Sequence, residues 1–168
     1  WSIETSNSIP EVCDTLISTD DPEISRVAKQ LGGYVPWIRP ADLSLDDSSS
    51  VDAALHALDW YESEHGKVDG LLLLQPTSPF RNSNNILEAL KLYESNLDMV
   101  VSVKKTHSSP YFNLFEENKK GFLKKCKKSS FTRRQDCPDV WEYNGAIYII
   151  NVKSLKKFKS MNFKRIKK

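Results

Sequence analysis

The sequence has few of the residues on which several common kinds of catalytic and metal site depend. Its 168 residues include three cysteines and three histidines, with no CxxC pair and no cysteine–histidine spacing typical of a zinc site. There is no GxGxxG, GxxxxGK[ST] or GxSxG motif, so the chain shows no fingerprint of dinucleotide binding, of a P-loop or of a serine hydrolase. An odd number of cysteines without a disulfide framework is typical of reduced thiols in a cytosol-like compartment.

Long apolar runs and a strong net charge are also absent. No apolar stretch approaches the roughly 18 residues that a membrane span needs, and no signal peptide is visible. We therefore expect a cytoplasmic protein, or a nuclear one if its source is an animal. The net charge of +2 is too small to indicate a nucleic-acid or membrane partner by itself. The lysine-rich residues 119–128 and 153–168 are most simply interpreted as solvated surfaces.

The most informative stretch that is present is GLLLLQPTSPFR, at residues 70–81. Its four consecutive leucines indicate a strand buried on both faces, as in a parallel sheet covered by helices. The prolines that follow Gln75 exclude continuation of a strand or a helix, so a loop begins there. Ligands of open α/β sheets bind at the carboxyl ends of the strands, so we expect this loop to form part of a site.

Strand-like and helical segments alternate along the first part of the chain. The pattern predicts strands at 12–19, 71–74 and 99–103, an extended segment at 34–38, and helices after Asp21, after Ser49 or Ser50, and from residue 82. This alternation is typical of an α/β sheet with parallel strands. Residues 106–140 break it with prolines, aromatic residues and lysines, and predict short strands on an insertion. We divide the chain into core residues 1–105, the insertion 106–140, and core residues 141–168.

Polar residues at predicted strand ends are the candidates for binding. Arginine suits bidentate recognition of a carboxylate or phosphate, and glutamine can both donate to and accept from sugar hydroxyls or a base edge. Asp46 and Asp47 could hold a cation, although the serines beside them favour helix capping. The residues alone predict an α/β domain that binds an anion and a sugar or base, with these candidates: Asp20, Arg39, Ser50, Gln75, Ser78, Arg81, Arg134 and Asn144.

Four segments can be compared with known families: STDDPEISRVAKQLGG, IRPADLSLDDSSSVDAALHAL, LLLLQPTSPFR and RRQDCPDVWEYNGAIYIIN. Together, in this order and spacing, they resemble the acylneuraminate cytidylyltransferase (CMP-sialic acid synthetase) family. The resemblance implies a Rossmann-like nucleotidyltransferase fold, a three-layer α/β sandwich with a mainly parallel sheet. It also implies attack by the anomeric hydroxyl of a nonulosonic acid, such as N-acetylneuraminate, on the α-phosphorus of CTP, which releases pyrophosphate.

The resemblance further implies roles for individual residues. Arg39 and Ser50 match nucleotide-binding positions that recognise the cytosine edge. Arg134 matches an arginine that pairs with the sugar-acid carboxylate. The positions expected to bind the sugar acid are Gln75, Thr77, Ser78, Arg134, Asn144 and Tyr148.

Several of these positions also have a purely structural interpretation. Arg39 or Arg81 would then belong to surface ion pairs. Asn144 would occupy a turn before Gly145, and Tyr148 would be a core residue.

Two motifs of the family do not occur in this sequence: a glycine-rich loop that cradles the triphosphate, and an Asp-x-Asp pair that binds Mg²⁺. We therefore expect no catalytic residue and no metal ligand within the chain, and Mg²⁺ ligands in other parts of a longer protein. The insertion matches a dimerisation segment, which implies a homodimer in which Arg134 completes the partner's site.

Two alternatives remain open. The first is the same reaction with another sugar acid, namely legionaminate, pseudaminate or the eight-carbon KDO, of which the QPTSPFR loop disfavours KDO. The second is a noncatalytic RNA-binding module that uses residues 119–128 and the basic C-terminal residues, where phenylalanines are interleaved with lysines.

Overall fold

The computed structural model describes residues 1–45 and 48–168, in two compact units formed by residues 1–102 with 145–168 and by residues 103–144. None of the helices in the described residues is long and apolar enough to cross a membrane. In chain order the elements are α1 Ser2–Asn7, α2 Pro22–Gln30, a 3-10 turn at Ala41–Leu43, α3 Ser50–His65, β1 Gly70–Leu73, α4 Ser83–Lys91, β2 Met99–Lys105, β3 Phe115–Glu117, β4 Leu123–Lys125, a 3-10 turn at Arg134–Asp136, β5 Trp141–Asn151, α5 Val152–Phe158 and β6 Ile166–Lys167.

The main sheet has four strands in the order β1-β5-β2-β6. β1 pairs with β5 in antiparallel orientation, whereas β2 pairs with β6 in parallel orientation. The described sheet is therefore mixed rather than mainly parallel. β1 lies at its edge, so its leucines are half-buried instead of buried on both faces as the apolar run predicted. A strand with one neighbour leaves part of each side chain uncovered.

The predicted strand at 12–19 does not form a regular ladder. Leu16 and Tyr34 form an isolated parallel bridge, in which Tyr34 N donates to Thr15 O at 3.1 Å and Ile17 N donates to Tyr34 O at 2.9 Å. The next donor in this register would be residue 36, which is a proline and has no N–H. The pairing therefore stops after one bridge, although both segments remain extended.

Three helices begin at capping residues that are recognisable in the sequence. Asp21 accepts hydrogen bonds from Glu23 N at 2.7 Å and Ile24 N at 3.0 Å, and Ser49 accepts from Val51 N at 3.1 Å. At the start of α4, Asn82 and its partner three residues later form a reciprocal capping box. These contacts satisfy backbone donors that have no partner within the helix, and they confirm the predicted helix starts.

The core of the first unit lies against β2 and β5. Met99 and Val100 of β2 are at most 1% exposed, as are Ile86 of α4 and Ile150 of β5. Burial of such side chains contributes roughly 1.5–3 kcal/mol each. Leu72 and Leu74 pack against this core, which holds the end of β1 from which the loop at Gln75 leaves.

The second unit, described by itself, is built on an antiparallel hairpin. β3 pairs with β4, and Asn118 closes the turn by accepting from Lys120 N at 2.9 Å and Phe122 N at 3.2 Å. The short strands predicted for this segment are confirmed. Phe122 and Leu123 near the hairpin turn are 67% and 70% exposed.

Candidate functional site

β1 ends at Leu73, and the loop that the prolines predicted follows within one residue, so that Gln75 lies at its start. Ser78 N donates to Gln75 O at 3.3 Å and closes a turn. Gln75 and Ser78 are half-buried, whereas Thr77 is exposed. The loop therefore presents both half-buried and solvent-exposed polar side chains near the end of β1.

The side chain of Gln75 lies against the backbone of Gly145 in β5. A Cβ atom at position 145 would stand 2.8 Å from Gln75 Oε1 and 4.0 Å from Ser78 Oγ. Gly145 also has φ of +75°, a conformation that favours glycine. The backbone conformation therefore favours glycine at this position, and the structure brings Gln75 and Ser78 together beside it.

Arg81 is not a surface ion pair, which corrects one interpretation of the sequence. It is 7% exposed, and its guanidinium donates from Nη1 to Gln75 O at 2.8 Å and to Ser78 O at 2.5 Å, and from Nη2 to Ser2 Oγ at 2.6 Å. Burial lowers the pKa of this guanidinium. Its position after two prolines in the loop was the only signal for this role in the sequence.

Arg39 does form an ion pair, and it is a partly covered one. Its Nη2 lies 2.8 Å from Asp20 Oδ1, and its Nε donates to Ser44 Oγ at 3.0 Å. The hydrogen bond from Arg39 lowers the pKa of Asp20. The structure thus joins two of the predicted polar residues, Asp20 and Arg39. The two hydrogen bonds use Nε and Nη2 of Arg39 and do not involve its Nη1.

The capping role near the start of α3 belongs to Ser49, and Ser50 is an exposed first residue of that helix. Capping therefore does not require the hydroxyl of Ser50. Asp46 and Asp47, considered as a cation site, lie outside the described residues.

Arg134 lies in the second unit, where its Nη2 is 2.9 Å from His107 Nδ1. Because a guanidinium only donates, Nδ1 of His107 must be the acceptor. Arg134 is exposed and begins a 3-10 turn. Asn144 also belongs to this unit by its position in the chain.

Tyr148 is 8% exposed and stands opposite Leu73 in the β1–β5 pair. It is therefore buried in the sheet next to the strand that carries Gln75. Its predicted contact with the sugar acid stays a prediction.

The described residues contain no group of three or more histidine, cysteine, aspartate or glutamate side chains that could hold a metal ion. A cavity of about 320 Å³ in the first unit is lined by residues of α1 and by Phe80, Arg81 and the start of α4. None of the residues predicted to bind nucleotide or sugar acid lines this cavity.

Comparison with known proteins gives a consistent result. A sequence family described as "Cytidylyltransferase" matches residues 1–160. The chain is 32% identical over 139 residues to post-translational flagellin modification protein B of Campylobacter coli, covering 80% of this chain and 57% of that protein. It is 30% identical over 147 residues to CMP-N,N'-diacetyllegionaminic acid synthase of Legionella pneumophila, covering 88% of this chain and 63% of that protein.

Other relatives are named N-acylneuraminate cytidylyltransferase and pseudaminic acid cytidylyltransferase. Among solved structures, CMP:2-keto-3-deoxy-manno-octonic acid synthetase complexed with CTP superposes with a TM-score of 0.66 at 15% identity, over 97% of this chain and 66% of that one. This likeness confirms the predicted nucleotidyltransferase fold class. The chain spans 57% and 63% of the two curated relatives compared above.

Proposed function

Since the chain belongs to the cytidylyltransferase family, we propose that the protein activates a nonulosonic (sialic) acid with CTP, giving the CMP-sugar and pyrophosphate. The oxygen of the anomeric hydroxyl forms a bond to the α-phosphorus. The bond from that phosphorus to the oxygen that bridges to the β-phosphate breaks, and the hydroxyl proton is lost. Such a displacement depends mainly on positioning and on stabilising developing charge.

The observation that carries this proposal is the arrangement of Gln75 at the end of β1. Its amide can accept from one sugar hydroxyl and donate to another, and its oxygen occupies the space beside Gly145 that a larger residue would take. In α/β sheets the strand ends are where ligands bind. We assign Gln75 to the sugar acid, with the hydroxyls of Thr77 and Ser78 beside it in the same loop.

For the nucleotide we propose Arg39 and Ser50. The carboxylate of Asp20 and the hydroxyl of Ser44 hold the Arg39 guanidinium through Nη2 and Nε. Among the described residues this leaves Nη1 as the donor that we assign to a cytosine acceptor. An arginine held in this way loses little side-chain entropy when it binds. Ser50, which is not needed for capping, is the second contact that we assign to the base.

Arg134 is our candidate for the carboxylate of the sugar acid. A guanidinium binds a carboxylate through two parallel hydrogen bonds, and an exposed arginine is accessible for this. We also assign Asn144 and Tyr148 to binding of the sugar acid.

We also propose a cytoplasmic homodimer. The exposed Phe122 and Leu123 of the hairpin are side chains of the kind that interfaces cover.

The described residues do not fit a metal site, and no step above uses one. A divalent ion would stabilise charge on the phosphates. Mg²⁺ is our proposal for that ion, with ligands outside the described residues.

The proposal can be tested with the full-length protein, CTP and a panel of N-acetylneuraminate, legionaminate, pseudaminate and KDO, by measuring pyrophosphate release. We expect release with one of the three nine-carbon acids and none with CTP alone. Release with none of the four acids would refute the proposal, and release with KDO alone would refute the choice of a nine-carbon acid.

A single substitution tests the role of Arg134 in the same assay. We expect Arg134→Ala to raise the KM for the sugar acid far more than the KM for CTP, because only the sugar acid would lose its bidentate partner. Arg133→Ala is the matched control, since Arg133 is bound to Asp136 in an exposed i,i+3 pair. Equal changes in both KM values would contradict the assignment.

A further inference from the structure

Arg81 ties together the two ends of the turn after β1. One nitrogen, Nη1, donates to the carbonyl oxygens of both Gln75 and Ser78, and the same two residues are joined by the hydrogen bond from Ser78 N to Gln75 O. The backbone at Gln75 is therefore held by two donors. A single ammonium group could not reproduce the fork of planar donors that also reaches Ser2.

The surroundings of Arg81 are unusual for a cation. Its side chain is 7% exposed, its hydrogen-bond partners in the described structure are neutral oxygen atoms, and its Nε has no partner among the described residues. Burying a charge without an opposite charge is costly. A gain in stability therefore explains the buried Arg81 poorly. A role in holding the loop for the site explains it better.

The tip of the Gln75 side chain lies beside Gly145. Its backbone carbonyl is bound by Arg81, while its amide oxygen occupies the space in which a side chain at position 145 would begin. The hydrogen bonds therefore restrain the backbone of Gln75, and the absence of a side chain at Gly145 leaves room for its amide. A shift of the turn would move the Cα atom from which this amide extends.

We propose that Arg81 is a positioning residue, which fixes the turn from Gln75 to Ser78 and thereby holds the Gln75 amide for contact with the sugar acid. This inference rests on the proposed function. Arg81 does not touch the substrate in this arrangement; it acts through the two carbonyl groups that it binds.

The kinetic test uses Arg81→Lys in the full-length protein, which keeps the charge and most of the aliphatic stem. We expect the KM for the sugar acid accepted in the panel to rise roughly tenfold, and the KM for CTP to stay within about twofold, because a misplacement of about 1 Å can cost up to about a hundredfold. Arg26→Lys is the control, since Arg26 is an exposed residue paired with Glu23 on α2. Equal rises in both KM values would overturn the inference.

Hydrogen exchange of the backbone amides provides a second readout that does not depend on activity. We expect Arg81→Lys to accelerate exchange in the segment 75–81 and to leave β2 and β5 unchanged. Ser2→Ala, which removes only the third partner of Arg81, should leave both the exchange in this segment and the sugar-acid KM near wild type. Unchanged exchange in Arg81→Lys would overturn the inference.

Gln75→Ala separates this inference from the proposed function. A rise in the sugar-acid KM of Gln75→Ala supports both. If that KM does not change while Arg81→Lys accelerates exchange in the loop, the assignment of Gln75 to the sugar acid is wrong. The role of Arg81 in substrate positioning then falls with it, although the restraint on the loop is real.

Discussion

Two arginine–aspartate pairs in the first unit have nearly equal lengths and very different surroundings. Arg165 Nη2 lies 2.7 Å from Asp98 Oδ1, and Arg39 Nη2 lies 2.8 Å from Asp20 Oδ1. The side chain of Asp98 is 4% exposed, whereas that of Asp20 is 49% exposed. The bond length alone therefore does not distinguish a pair that holds the fold together from one that orients a side chain at a site.

The difference lies in what else each carboxylate binds. Asp98 accepts from Ser154 Oγ at 2.7 Å and from the backbone N of Arg165 at 3.0 Å, so it joins β2, α5 and the approach to β6. Its hydrogen bonds with Arg165 and then Ser154 hold its pKa far below the usual range. Ion pairs near the surface contribute little to stability, and the partly covered pair of Asp20 and Arg39 is better explained as support for Arg39.

The largest effect is expected for Asp98→Asn. The Asp98 carboxylate accepts four hydrogen bonds, from Ser154 Oγ and from the backbone N, Nε and Nη2 of Arg165. An asparagine cannot accept all four and would turn an N–H group toward one of these donors. We expect the free energy of unfolding to fall by about 2–4 kcal/mol, less than for a fully buried pair because Arg165 is itself 60% exposed. Urea unfolding at neutral pH measures this loss.

The matched control is Asp20→Asn, which breaks a pair of nearly the same length in an exposed place. We expect no measurable change in its urea midpoint. Similar losses of stability in the two variants would show that burial does not separate the two pairs.

A smaller loss of stability is expected when the pH is lowered, because a second buried carboxylate, that of Glu62, becomes protonated. Hydrogen bonds from Lys156 and then Lys67 lower the pKa of Glu62 to about 2, and its side chain is 5% exposed. The folded state therefore binds fewer protons than the unfolded state, in which the pKa of a glutamate is about 4.3. The stabilisation is complete above the unfolded pKa and is lost as the pH falls through the folded pKa.

Between pH 6 and about pH 2.5, this carboxylate should account for about 1–2 kcal/mol of lost stability. We expect Glu62→Gln to be less stable than the wild type at pH 6, with the difference shrinking as the solution is acidified. Glu64→Gln, at an exposed position of the same helix, serves as the control. A difference that stays constant with pH would contradict the role assigned to the charge of Glu62.

The smallest effect on stability, and the sharpest on binding, is expected for Asp20→Asn. Without the carboxylate, Arg39 loses the charge that orients it, and the KM for CTP should rise several-fold while the KM for the sugar acid stays unchanged. Steady-state kinetics of the same variant that is used as the stability control measure both constants. A CTP KM equal to that of the wild type would remove the argument that Asp20 prepares Arg39 for the nucleotide.

Much of the local structure could be predicted because its causes lie within a few residues. Asp21 before Pro22 starts α2, and the prolines after Gln75 end β1. The strand predicted at 12–19 failed because pairing depends on the partner's register, in which Pro36 meets the position of a donor. Periodicity within one segment carries no information about the segment beside it.

The sequence by itself determined three helix starts, the loop after β1, the presence of short strands in the second unit and, through motifs spread along the chain, its family. Only the tertiary structure decided that Arg81 is buried over the turn, that Gln75 lies against Gly145, and that Asp98 rather than Asp20 is the covered partner of an arginine. The physical reason is that the value of a charge or an amide depends on its distance from water and from groups far away in the chain. Asp98 and Arg165 are 67 residues apart, and only folding brings them within a hydrogen bond.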